Sequence, residues 1–164
     1  MARYVDHVLA LLPFEPPYMM SAGMGCDFVG HPAAELARPG QAAIDALRAE
    51  AGGEPLLAVL PGSRGGEVRR LLPLFGAAVR RVADEVPDLR LIIPAAPGVA
   101  DKVAAGTRDW PVPVTIVDSR GLPREQAEMR KLAAFAAADA ALAASGTVVL
   151  ELAAMRCPMV SAYR

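Results

Sequence analysis

Apolar runs of strand length recur along the chain, and helical patterns separate them. The runs are Leu56 to Leu60, Leu89 to Ile93, Val112 to Val117, Ala140 to Ala143 and Met159 to Ala162. Each is almost continuously apolar, as a strand buried on both faces of a sheet must be. After the first run, Val68, Leu71, Leu72, Phe75, Val79, Val82 and Val86 keep the i, i+3, i+4, i+7 spacing of one buried helix face. Arg69, Arg70, Arg80, Arg81 and Asp84 fall mostly on the other face. Helical stretches are also expected near Val99 to Ala105, Arg124 to Ala137 and Thr147 to Met155. Strands alternating with helices in this way predict an α/β fold built on a doubly wound parallel sheet.

The first 38 residues follow a different rhythm. They read as a strand near Val5 to Leu12, a short helix begun by Pro13-Phe-Glu-Pro-Pro17, and a second strand at Cys26 to Val29 leading into Gly30-His31-Pro32. Arg38-Pro39-Gly40 breaks the chain before a helix from about Gln41 to Ala51. The expected organisation is therefore residues 1–38 as the tail of a preceding domain plus a linker, and residues 39–164 as an incomplete second domain. His31 has two readings, a ligand contact at the junction or a hydrogen-bonded structural histidine. His7 carries less chemistry, and Trp110 reads as a packing residue.

In a doubly wound sheet the binding crevice lies beyond the carboxyl ends of the strands, so the loops there come first. Pro61-Gly-Ser-Arg-Gly-Gly-Glu67 follows one strand and opens the long helix. Its glycines let backbone approach a ligand, the helix start offers amides, and Arg64 supplies a fork suited to phosphate oxygens. The turn matches neither the Walker pattern nor the G-x-G-x-x-G fingerprint. The alternative is a tight turn in which Ser63 caps the helix and Arg64 is solvated.

The second loop is Ser145-Gly146-Thr147, between a strand and a helix that carries Glu151. Four residues after Thr147, Glu151 shares its side of the helix, and a carboxylate can accept two hydrogen bonds from a vicinal diol such as a ribose. Against this stands a plain cap by Ser145 or Thr147, with Glu151 complementing the helix dipole. Taken together, an arginine with amides and a diol acceptor on one sheet rim suit a nucleoside diphosphate.

Composition narrows the remaining classes. The 164 residues are 54% hydrophobic and 21% charged, enough apolar material for a real core. A net charge of −1 gives no footprint for nucleic acid. Cys26 and Cys157 lie far apart, with no zinc or C-x-x-C spacing. Val8 to Leu12 is apolar but is stopped by Pro13, too short for a signal peptide or a membrane span. A soluble or at most peripheral chain is expected.

The motifs Tyr4-Val-Asp-His-Val-Leu-Ala-Leu-Leu-Pro-Phe-Glu-Pro16, Phe28-Val-Gly-His-Pro32, Leu60-Pro-Gly-Ser-Arg64 with Glu67, Ala138 to Thr147 with Leu150-Glu151, and Pro158-Met-Val with Tyr163-Arg164 run over nearly the whole chain. In this order they resemble the lipid-A-disaccharide synthases of Gram-negative bacteria. The resemblance implies one Rossmann-like half of a two-domain GT-B glycosyltransferase. Such an enzyme transfers 2,3-diacylglucosamine from its UDP derivative to 2,3-diacylglucosamine 1-phosphate with inversion, releasing UDP.

The matching UDP-binding positions are Ser63, Arg64, Ser145, Gly146, Thr147 and Glu151, with Arg64 also stabilising the departing diphosphate. The resemblance implies no metal and no cofactor, and a cytoplasmic location that allows peripheral association with the inner membrane. The family is longer, so the chain reads as a fragment whose general base lies elsewhere and which is expected to be inactive alone. The stretch Asp118 to Glu128 departs from the family pattern and is assigned no site. Two alternatives stand beside this reading: a non-catalytic UDP-binding or assembly module, and another UDP-sugar enzyme such as an epimerase.

Overall fold

The computed structural model describes residues 2–162. Tyr163 and Arg164, the last two positions of the family pattern, lie outside the described residues. The chain divides into two compact units, 1–36 and 37–164.

In the first unit, β1 (His7–Ala10), α1 (Pro16–Ser21) and β2 (Gly25–Phe28) precede a 3₁₀ turn (Pro32–Glu35). β1 and β2 pair in parallel, from His7↔Gly25 to Ala10↔Phe28. Two strands make a small sheet, and Leu9, Phe14 and Phe28 remain more than half exposed beside them. His7 Nε2 lies 3.0 Å from Asp27 Oδ2 across the pair. His31 Nδ1 accepts the Ala33 N–H at 3.0 Å and so caps the 3₁₀ turn, the structural member of its two readings.

In the second unit, α2 (Gln41–Glu50), β3 (Leu56–Leu60), α3 (Gly65–Glu85), β4 (Arg90–Ala95), α4 (Ala100–Thr107), β5 (Val114–Asp118), α5 (Arg124–Ala137), β6 (Ala140–Ala144), α6 (Val148–Ala154) and β7 (Met159–Ala162) alternate as the pattern of apolar runs predicts. The strands form a five-stranded sheet in the order β5-β4-β3-β6-β7, with every neighbouring pair parallel. This is the expected α/β architecture, consistent with a Rossmann-like half of a GT-B glycosyltransferase.

The sheet is buried on both faces. Leu91 and Ile93 of β4 join Val68, Leu72, Phe75 and Val79 of α3 in one core. Ile92, between them, points to the opposite face by strand alternation, where α5 crosses β3, β4 and β5 and buries Leu132 and Phe135. The close approach of α3 to the segment after α4 depends on Gly76. A Cβ there would stand 2.8 Å from the Trp110 indole nitrogen, which makes Trp110 the packing residue expected of it.

Charged residues at the amino ends of the strands are used structurally. Asp139 accepts the Leu56 N–H at 2.8 Å and meets Arg48 of α2 at 3.0 Å, tying β3, β6 and α2 together. Arg130 of α5 reaches both oxygens of Glu50 at 2.8 Å. α6 ends in a Schellman arrangement: Cys157 N–H bonds to Leu152 O at 3.0 Å and Arg156 N–H to Ala153 O at 2.9 Å. Arg156 accordingly adopts φ 62°, a left-handed conformation usually given to glycine. No helix among the described residues is long and apolar enough to cross a membrane.

Candidate functional site

The strand order decides where a ligand can enter. From β3 the chain winds outward through β4 to β5, then returns to the other side of β3 with β6 and continues to β7. The winding reverses between β3 and β6, and at such a switch point the loops beyond the two carboxyl ends diverge and leave a crevice. The Gly-Ser-Arg turn follows β3 and the Ser-Gly-Thr loop follows β6, so the two loops singled out in the sequence flank this one opening.

The crevice is widened on the β4 side. The β3–β4 ladder ends at Ala58↔Ile92, while β3–β6 continues to Leu60↔Ala143 and β4–β5 to Ala95↔Asp118. Pro94 has no N–H to offer a further rung. The result is a cleft of about 840 Å³, floored by the strand ends Leu60, Ala95, Val117 and Ala144. Ser63, Arg64, Ser145, Gly146, Thr147 and Glu151 all line it, so the structure brings every one of the sequence-derived site residues to a single cleft.

The first loop differs in detail from the expectation. Ser63 is not the cap: Arg64 occupies the N-cap with extended backbone, and Glu67 supplies the acceptor. Glu67 Oε2 takes the N–H of Ser63 at 3.2 Å and of Arg64 at 3.3 Å, so these two amides are already engaged by an acid of the same helix. Gly62 makes this possible. Its φ is +108°, and a Cβ would stand 2.6 Å from Glu67 Oε2. Desolvation pushes the Glu67 carboxyl up, but the Arg64 and Ser63 amides and the Arg64 guanidinium outweigh it and hold the group below its ordinary value. The Arg64 guanidinium touches only the far oxygen, at 3.2 Å, and its side chain is 83% exposed, free to turn toward a ligand.

The second loop is held from outside. Ser145 N–H donates to Ala162 O at 2.8 Å, pinning the loop to β7. Thr147 stands at the N-cap of α6 without a side-chain cap, so the expected alternative of hydroxyl capping by Thr147 is not realised. Glu151 does not point at the helix start. Its Oε2 lies 2.9 Å from Lys131 Nζ on α5, and the same ammonium lies 2.7 Å from Glu128 Oε1.

Sequence reasoning passed over the third wall. Ser119, Arg120, Gly121, Leu122 and Glu128, from the stretch to which no site was assigned, also line the cleft, as do Lys131 and Phe135. Arg120 folds back onto the end of β5, its Nε donating to Asp118 Oδ2 at 2.7 Å, and meets Asp101 of α4 at 2.9 Å. The Arg120 side chain and backbone N–H overcome the opposing desolvation and hold the Asp118 carboxyl below its ordinary value. The available signal was positional: this loop too follows the carboxyl end of a strand.

The cleft thus offers an exposed guanidinium on one bank and a carboxylate paired with Lys131 on the other. That arrangement suits a ligand with an anionic end and hydroxyl donors at the opposite end. A family model described as Lipid-A-disaccharide synthetase matches residues 1–164. A protein named lipid-A-disaccharide synthase from Ruegeria pomeroyi is 60% identical over 100% of this chain, and relatives of the same name from Rhodospirillum centenum and Rhodopseudomonas palustris are 48% and 47% identical over 99% and 100% of it. The chain spans about two fifths of the length of these relatives, 41%, 39% and 40% respectively.

Proposed function

The chain belongs to the lipid-A-disaccharide synthase family, and from that premise we propose that its 39–164 part is the donor-nucleotide half of a glycosyltransferase, with residues 1–38 the tail of the partner domain and a linker. The proposed reaction joins 2,3-diacylglucosamine, carried as its UDP derivative, to 2,3-diacylglucosamine 1-phosphate. An acceptor hydroxyl attacks the anomeric carbon of the donor, the bond from that carbon to the diphosphate oxygen breaks with inversion, and UDP leaves. The acceptor gives up its hydroxyl proton to a general base supplied from outside these residues.

In this reading the cleft binds the leaving group. Negative charge grows on the diphosphate as the bond breaks, and Arg64 turns from Glu67 to place a cation where that charge develops. Ser63, Ser145 and Thr147 donate their hydroxyls to the phosphates, and Gly146 leaves room for them. Glu151 accepts from the ribose diol and is not the base; its Oε2 rests on Lys131. The proposed location is the cytoplasm, at the inner-membrane face where diacylated sugars reside.

The observation that carries the proposal is the convergence of Arg64 and Glu151 on one cleft at the β3/β6 switch point. An NMR titration of the chain with UDP tests it. Backbone shifts should move at Ser63, Arg64, Ser145, Gly146, Thr147 and Glu151. Saturable shifts confined to some other surface, such as the groove between α3 and α4, would remove the assignment.

A further inference from the structure

We propose that Lys131 is a positioning residue for the bound nucleotide, fixing one oxygen of Glu151 so that the other faces the ribose diol; the inference rests on the reading of Glu151 given above. Three side chains from two helices meet at this point. Glu128 and Lys131 lie one turn apart on α5, and Glu151 comes from α6. Lys131 Nζ is 2.9 Å from Glu151 Oε2, 2.7 Å from Glu128 Oε1 and 5.9 Å from the centroid of the Phe135 ring.

The ammonium sits in a partly buried seat. The side chains of Lys131 and Glu151 are 29% and 23% exposed, and the Phe135 ring beneath them is fully buried. Fully exposed pairs contribute little because both partners wander. Here the ring and two carboxylates confine the cation, and the cation confines Glu151. Desolvation opposes the charge on Lys131, but Glu128 and Glu151 outweigh it and hold the lysine above its ordinary value.

Chemistry assigns the remaining oxygen. With Oε2 on the ammonium, Oε1 is the acceptor that faces a ligand, and a carboxylate held in one rotamer loses less entropy when two hydroxyls dock on it. Without the lysine, Glu128 and Glu151 become two like charges pointed at one space, and Glu151 turns away from the cleft. Lys131 therefore acts on the ribose end of the ligand and leaves the phosphate end unaffected.

Calorimetric affinities for UDP and for 2′,3′-dideoxy-UDP separate the possibilities, measured on the chain and on Lys131→Met and Lys131→Arg, with circular dichroism to establish folding. The chain should prefer UDP by about 10- to 100-fold, the range expected for hydrogen bonds to a charged acceptor. Lys131→Met should lose most of that preference while binding the dideoxy compound as before, and Lys131→Arg should retain much of it. Where the methionine variant unfolds, Lys131→Gln provides the same reading. A folded neutral variant with the original preference, or with both ligands weakened equally, overturns the role of Lys131 and leaves Glu151 in place. An unmodified chain that does not distinguish the two ligands overturns the Glu151 reading itself.

Discussion

In the β3–α3 loop the acid that engages the loop belongs to the same helix: Glu67 reaches back over one turn to the Ser63 and Arg64 amides. Across the crevice, Glu151 of α6 ignores its own loop and pairs with Lys131 of α5. The first loop is thus self-sufficient, and its cation, Arg64, stays exposed. The second loop depends on a neighbouring helix, where Glu151 is held by Lys131. In the proposed reading the two arrangements serve opposite ends of one ligand, an anion and a diol. Arg64 would have to leave Glu67 to reach a phosphate, whereas a hydroxyl acceptor gains from being already fixed.

The contrast can be broken most severely from below. Phe135 is fully buried and supports Lys131, so Phe135→Ala should cost about 3–5 kcal/mol of stability and loosen the second loop while leaving the first capped. Denaturant unfolding measures the cost, and a change under about 1 kcal/mol would show that α5 does not anchor this bank.

A smaller effect isolates the first loop. Glu67→Gln weakens the acceptor on two backbone amides, worth about 1 kcal/mol by analogy with other helix caps. The sign of the pH effect follows from its carboxyl, whose folded value lies below the reference of 4.5. Its stabilisation is therefore present above the unfolded value and is lost as pH falls through the folded one. Thermal unfolding of Glu67→Gln should show a shallower loss of stability on acidification than the unaltered chain. An identical acid limb would mean that the Glu67 cap contributes nothing.

Much of this architecture was legible because burial writes itself into apolar spacing. β3, α5 and β7 stand at the residues their apolar patterns predicted, Leu56–Leu60, Arg124–Ala137 and Met159–Ala162. β5 begins two residues later than the apolar run, at Val114, since Pro111 and Pro113 cannot donate to a ladder. β4 runs from Arg90 to Ala95, starting one residue later and ending two residues later than the expected Leu89 to Ile93.

The charged tips were harder to read. That Glu67 and not Ser63 caps α3 follows from the turn that Gly62 permits, and that Lys131 meets Glu151 follows from how α5 lies beside α6. Spacing along one helix predicts neighbours on that helix, but a partner twenty residues away is set by the packed fold. The six candidate residues could be named because they sit in loops after the carboxyl ends of predicted strands and match the family motifs. Their supporting shell could not be.

Calorimetric titration of UDP into the chain, into Arg64→Ala and into Glu151→Ala asks whether the two loops form one nucleotide site. A shared site gives saturable one-site binding that either substitution, on a folded chain, weakens by at least about tenfold, the loss expected when a hydrogen bond to a charged group is removed. A folded chain that binds no UDP, or that binds it equally well without Arg64 or without Glu151, would contradict it.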